Sequence, residues 1–221
     1  AAIAVRTRLA VAAAAALLLA AAGCASANQR VAYSAYELRT SVAEHVPAEQ
    51  RGDILVPYEV TPELVERARR YVDGYTTEHG RANQLLRAIT RDDGFDVEWE
   101  PVATSVPRIT LERGYGNCLS LTSLYIGLAR AIGLHAYYVD ASDRINELSR
   151  DQELLVDTGH IAATVRTEKG WSMVDFSGEI SSFRTFRVID DVEALAHFYN
   201  NRGYERISIA QRDGEEIDWS T

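Results

Sequence analysis

The chain reads as an α+β domain: helices come first, strands second, and one long apolar helix begins at a cysteine between them. Three observations carry this reading. Up to Gly133 the apolar residues recur at helical spacing. After Gly133 they fall in short strand-like runs broken by turn residues. The helix at the junction is apolar around most of its circumference, which predicts a buried central helix packed on an antiparallel sheet.

Arg6 and Arg8 precede an apolar run from Val11 to Ala22, closed by Ala21-Ala22-Gly23-Cys24. That run is too short for a comfortable membrane span and ends in small residues, as an export signal does. Ala-Ala-Gly-Cys resembles a bacterial lipobox, with Ala21 where Leu is usual, so Cys24 is the expected lipidation site and the first residue of the mature chain. Ala25 after the cysteine resembles lipoproteins destined for the outer membrane. The expected location is therefore the bacterial cell envelope, lipid-anchored and facing the periplasm. The first residue is Ala, so the natural start is expected upstream. The expected division is a signal over 1–23, a tether and lead-in segment with a short helix over 24–56, and the domain over 57–221.

Within the domain, Thr61-Pro62-Glu63 supplies a cap, a proline at the first helical position and an acid in the first turn. The helix it opens carries Leu64, Val65, Ala68, Tyr71, Val72 and Tyr75. A second helix is expected from about Arg81 to Thr90, through Leu85, Leu86 and Ile89. Asp92-Asp93-Gly94 then turns the chain into an extended stretch, Phe95 to Trp99, and a loop leads to Gly116. Asn117 caps the central helix, which runs from Cys118 to about Ile132 and stops at Gly133. Strands are expected over Leu134 to Asp140, His160 to Arg166 and Trp171 to Phe176, the last two joined by a tight turn. A final helix is expected from Val192 to Asn201, ended by Gly203.

Once Cys24 is assigned to lipid, Cys118 is the only cysteine left. At the first helical position, unpaired backbone N–H groups and the helix dipole favour a thiolate. An oxidising compartment pairs available thiols, so an unpaired one there is either well buried or kept for its chemistry. Of the five histidines, His160 is the one placed to meet it. His45 and His79 read as solvated, and His197 as packing on a helix. His135 lies some 20 Å from Cys118 along a helix rising about 1.5 Å per residue. The turn near Thr167–Lys169 brings His160 opposite Asp175 or one diagonal step from it, within reach either way. Asp175 is an acid between Val174 and Phe176, and such acids have partners. An acid beside an imidazole fixes its tautomer, and the other ring nitrogen is left for a nucleophile.

A formal charge of −9 and a pI near 5.1 argue against nucleic acid and against an electrostatic grip on anionic lipid. The scattered histidines make no metal set and no glycine-rich phosphate loop follows a strand, so no metal or cofactor is expected. Two other readings stand beside an enzyme: a non-catalytic peptide- or envelope-binding module, and a redox-responsive surface thiol, which lacks a resolving cysteine.

Cys118, His160 and Asp175, in this order and with this short His-to-Asp spacing, resemble the transglutaminase-like superfamily, whose core is papain-like. The likeness extends from about Pro57 to Gly203. It is closest to bacterial lipoproteins and exported proteins that carry Gly-Asn-Cys-Leu-Ser before the helix and a stretch like Ala196 to Gly203, Ala-His-Phe-Tyr-Asn-Asn-Arg-Gly, after the sheet. In such relatives that stretch often leads into tetratricopeptide repeats. The resemblance implies acyl transfer: Cys118 attacks an amide, His160 protonates the leaving amine, Asp175 orients His160, and the Cys118 N–H is an oxyanion donor. Asn117 and Tyr115 are candidates for the second donor. Leu119 stands where cross-linking transglutaminases carry Trp, which points away from cross-linking as such but not from thiol chemistry. The implied partner is a peptide or protein amide, peptidoglycan-linked amides included.

Overall fold

The helix-then-strand order expected from the patterning is the order observed from Val31 onward. The computed structural model describes residues 31–101, 104–141, 148–151, 154–157, 160–178 and 186–214. The expected signal over 1–23 and the lipidation site Cys24 lie outside the described residues.

Helix α1 (Ala35–Ala43) is opened by a capping box, in which Ser34 and Glu37 satisfy each other's backbone donors. A 3₁₀ turn follows over Ala48–Asp53. From Val31 on, the segment expected as tether and lead-in is packed into the fold: Leu38 and Val56 are buried, and the Val31 carbonyl accepts from the Asp191 N–H. Helices α2 (Pro62–Val72) and α3 (Glu78–Thr90) follow, α3 starting three residues earlier than its apolar spacing suggested because Thr77 caps it. A short parallel pair, β1 (Glu98–Trp99) with β2 (Tyr115–Gly116), brackets helix α4 (Pro107–Arg113). The loop expected there is thus a helix. Pro107 opens it and Gly114, at φ +76°, ends it.

Helix α5 (Cys118–Ala131) is the expected central helix, buried from Leu119 to Ala129. Strands β3 (His135–Asp140), β6 (Ile161–Thr167), β7 (Gly170–Val174) and β8 (Arg187–Ile189) form an antiparallel sheet in the order β7-β6-β3-β8. Between β3 and β6, β4 (Leu148–Asp151) pairs antiparallel with β5 (Leu154–Asp157). Neither this pair nor β8 was expected; a strand as short as β8 leaves little period-two signal. The face carrying Ala136, Tyr138, Ile161, Ala163, Val165 and Val174 shares the core with α5. Gly127 lets the helix lie against the chain: a Cβ there would fall 2.2 Å from the Tyr58 carbonyl oxygen.

Helix α6 (Asp191–Asp213) does not stop at Gly203. Glycine costs a helix interior about 1 kcal/mol, too little to end one. The helix continues through Ile207 and Ala210 to a left-handed Gly214. Its first residue holds a buried ion pair. Asp191 is fully buried and receives Arg130 of α5 through two bonds, 2.7 and 2.9 Å. Arg130 Nε also donates to the Ala136 carbonyl, and the Tyr33 N–H donates to Asp191. Four segments meet at this pair. Removing one member of a buried, hydrogen-bonded pair strands the other charge, at a cost of about 3–5 kcal/mol. Asp191→Ala should therefore lower the urea-unfolding free energy by that amount with an unchanged m-value. A loss below about 1 kcal/mol would mean the pair is not what joins these segments.

Candidate active site

The site is assembled from the ends of three elements. Cys118 is the first residue of α5, at the point where the helix emerges from the core, and it is a partly exposed free thiol. Asn117 sits before it in an extended conformation, φ −77° and ψ 177°, and its Oδ1 accepts from both the Ser120 N–H and the Ser120 hydroxyl at 2.9 Å. Of the two roles open to Asn117 in the sequence, the structure shows the cap. Its Nδ2 donates to Thr104 at 2.8 Å.

His160 immediately precedes β6. Its carbonyl accepts from the Ala141 N–H at 2.9 Å, which sets the backbone, and the residue is only 6% exposed. Asp175 immediately follows β7. Ala163 pairs with Val174, so that register carried one residue on puts Asp175 across from Ala162 and one diagonal step from His160. Of the two arrangements the turn allowed, the diagonal is the one formed. Phe176 anchors the strand end by packing edge-on against Tyr125 of α5, with ring centroids 6.3 Å apart.

His160 Nε2 lies 2.8 Å from Asp175 Oδ1, and Cys118 hydrogen-bonds the same imidazole, which leaves Nδ1 for the thiol. Ser177 completes the carboxylate's shell: its N–H reaches Oδ1 at 3.2 Å and its hydroxyl reaches Oδ2 at 2.8 Å. Burial works against charge on the imidazole, but hydrogen bonds from Asp175 and Cys118 and the charges of both outweigh it, and the His160 pKa is raised to about 9. Burial likewise works against charge on Asp175, yet the bonds from His160 and Ser177 hold its pKa down at about 2. Such an arrangement can hold an imidazolium between a carboxylate and a sulfur.

The other histidines are elsewhere. His45 is exposed and bonded to the Ser41 carbonyl, His79 faces Asn83, and His135 begins β3 in solvent. Among the described residues no group of three or more His, Cys, Asp or Glu is placed to hold a metal ion. Sequence reasoning missed Ser177 and the hydroxyls beneath the cap. Ser177 carried a usable signal, a serine two residues after an acid, able to bond back to it. Thr104 carried none, because its partners Asn201 and Glu205 are distant in sequence. Leu119 is 1% exposed and belongs to the core.

The chain belongs to the transglutaminase-like superfamily, whose sequence profile matches residues 65–176, a span holding Cys118, His160 and Asp175. Among solved structures, it is similar to a candidate cysteine protease from Cytophaga hutchinsonii, at 15% identity and a TM-score of 0.45, over 62% of this chain and 44% of the other. It is also similar to a candidate protease from Parabacteroides distasonis, at 16% identity and a TM-score of 0.39, over 58% of this chain and 28% of the other. The chain thus spans less than half the length of either. No curated protein matches it.

The His160 shift has a measurable consequence. Its folded pKa lies above the ordinary 6.5, so the imidazolium stabilises the fold fully below pH 6.5, and that contribution is lost as pH rises through about 9. By NMR the His160 ring should titrate near 9 in the wild type and lower in both Asp175→Asn and Cys118→Ala. Urea midpoints should fall between pH 6.5 and 9, and fall less in His160→Gln. A His160 ring titrating at or below 6.5 contradicts the arrangement.

Proposed function

We propose that the protein is an exported, lipid-anchored enzyme that transfers the acyl group of a peptide or protein amide through a thioester on Cys118. The observation that carries this reading is the imidazole of His160, bonded to Asp175 through Nε2 and to Cys118 on its other side. In the first half-reaction the Cys118 sulfur attacks the amide carbonyl carbon and a C–S bond forms. The developing oxyanion is met by the Cys118 backbone N–H, one of the unpaired donors at the start of α5. His160 gives its Nδ1 proton to the amide nitrogen, the C–N bond breaks, and the amine leaves. In the second half, His160 takes a proton from water or an amine as it attacks the thioester. The C–S bond breaks, and the product is an acid or a new amide. Asp175, carrying charge throughout, holds the ring's tautomer and orientation.

The envelope location and the amide class of substrate, including peptidoglycan-linked amides, rest on Ala-Ala-Gly-Cys24 following the apolar run. Mass spectrometry of the mature N-terminus reads this directly: a diacylglyceryl-modified Cys24 in the membrane fraction is expected. A diffusible chain beginning at another residue rules the lipid anchor out.

Turnover of peptide amides and of purified cell-wall fragments, with mass spectrometry for a thioester on Cys118, tests the chemistry. Cys118→Ala and His160→Ala should each lower turnover by about 10³-fold or more, and the double variant should be no worse than either, because the residues act as one unit. Asp175→Asn should keep more activity, since it preserves shape while permitting the wrong tautomer. Melting curves must show each variant folded. Full rescue of a deletion phenotype by Cys118→Ala would replace the enzyme with a binding module.

A further inference from the structure

We propose that Asn201 and Glu205 of α6 are positioning residues for Cys118, acting through Thr104 and the Asn117 cap. This rests on the proposed thiol chemistry and assigns a task to the Ala196–Gly203 stretch, which that chemistry leaves unused.

Thr104 lies 4% exposed between α6 and the start of α5, and every hydrogen-bonding group on its side chain is engaged. Its backbone N–H donates to Glu205 Oε1 at 2.6 Å, and its hydroxyl also bonds the Glu205 carboxylate. Its Oγ1 accepts from Asn117 Nδ2 at 2.8 Å and from Asn201 Nδ2 at 3.3 Å. A hydroxyl has one proton and two lone pairs, so this set exhausts it. Directions follow from chemistry. Burial raises the Glu205 pKa and the bonds from Thr104 act against that rise. The carboxylate form only accepts, so the Thr104 proton points to Glu205 and its lone pairs point to the amides. The Asn117 amide is then obliged to present Nδ2 to Thr104 and Oδ1 to the helix. That is the only orientation in which it caps the Ser120 N–H.

Without the acceptor at 205, Thr104 can turn its proton toward Asn117. The amide then gains by flipping, and a flipped amide aims N–H groups at the N–H groups of the helix start. Both effects disfavour the first turn, where Cys118 is the first residue. The nucleophile would lose its register with His160 while the buried body of α5 stays in place. Ser120, whose hydroxyl accepts from the Ser105 N–H at 2.9 Å, holds the next residues of that turn.

The test reads the nucleophile, not turnover, so its failure is separable from failure of the acyl-transfer reading. Iodoacetamide alkylation of native Cys118 at pH 6.5 is timed by mass spectrometry, with His160 titration followed by NMR. Glu205→Leu and Thr104→Val should slow alkylation about tenfold or more, as misplacement of a reacting group does. Glu205→Gln, which keeps an acceptor oxygen, and Thr104→Ser, which keeps the hydroxyl, should stay within about twofold of wild type. Asn201→Ala, on a partly exposed helix face, removes one donor to Thr104 and should give an intermediate loss if the buried variants fail to fold. A merely structural role predicts lower melting temperatures with wild-type alkylation rates and an unchanged His160 titration in the folded variants, and that result overturns the proposal. Should alkylation respond as expected while Cys118→Ala retains turnover, the acyl-transfer reading falls and the positioning role stands.

Discussion

A helix sunk in a protein core cannot leave its ends to water, and this constraint organises the fold. Helix α5 is buried from Leu119 to Ala129, so the donors of its first turn and the acceptors of its last need partners from the chain. At the start Asn117 Oδ1 accepts from the Ser120 N–H and hydroxyl, and the Ser105 N–H donates to that hydroxyl; at the end, Gly133 at φ +88° turns the chain so that the Leu134 N–H reaches the Ala129 carbonyl. Both ends are then tied to α6. Asp191 receives Arg130 near the end of α5, and Glu205 receives Thr104 beside its start. The fourteen residues of α5 rise about 21 Å, and so do the fourteen steps from Asp191 to Glu205 at ~1.5 Å each. Helix α6 acts as a splint of matching length. Its run past Gly203 adds Glu205 to Asn201 as a second tie to Thr104 beside the start of α5.

Two buried ion pairs among the described residues apply the same physics to different ends. Burial opposes charge on Arg130, on His160 and on Asp175, and in each case hydrogen bonds from a partner overcome it. Arg130 and Asp191 are closed upon each other, with Arg130 also bonded to the Ala136 carbonyl and Asp191 to the Tyr33 N–H. His160 and Asp175 are closed on one side only. Ser177 bonds both carboxylate oxygens, but the second ring nitrogen turns to a partly exposed sulfur. One pair holds helices together; the other keeps a titratable nitrogen at the surface of a rigid frame. The frame matters because His160 and Asp175 both sit one residue outside their strands, where the Ala141 bond and the Phe176–Tyr125 packing help to fix them.

Much of this was legible in the chain. The buried helix, its asparagine cap and its glycine stop follow from local rules, and they placed Cys118 correctly. The hairpin placed His160 and Asp175 within a diagonal step, because strand register depends on a short turn. What stayed hidden depends on residues far apart. Leu38 looks like part of a tether until its contacts with the core are seen, and Thr104 looks like any loop residue, since its partners Asn201 and Glu205 come about a hundred positions later. Helix α4 is the exception: Pro107 and Gly114 bracket it by the same rules that found α2 and α5, yet its seven residues are too few to show an apolar stripe.

Leu119 changes meaning between sequence and structure. As the residue after Cys118, in place of the tryptophan of cross-linking transglutaminases, it looks like a statement about substrate. In the fold it points into the core, 1% exposed, beside the residues that seat α5 on the sheet. A side chain there sets how deeply the helix start lies and cannot itself touch an acyl acceptor. In the proposed reaction the acceptor's identity, water or amine, would be decided by what enters once the thioester has formed. Up to that point hydrolysis and transfer share every atom and every proton movement. Membership of the superfamily and the Cys118–His160–Asp175 geometry therefore bear equally on both.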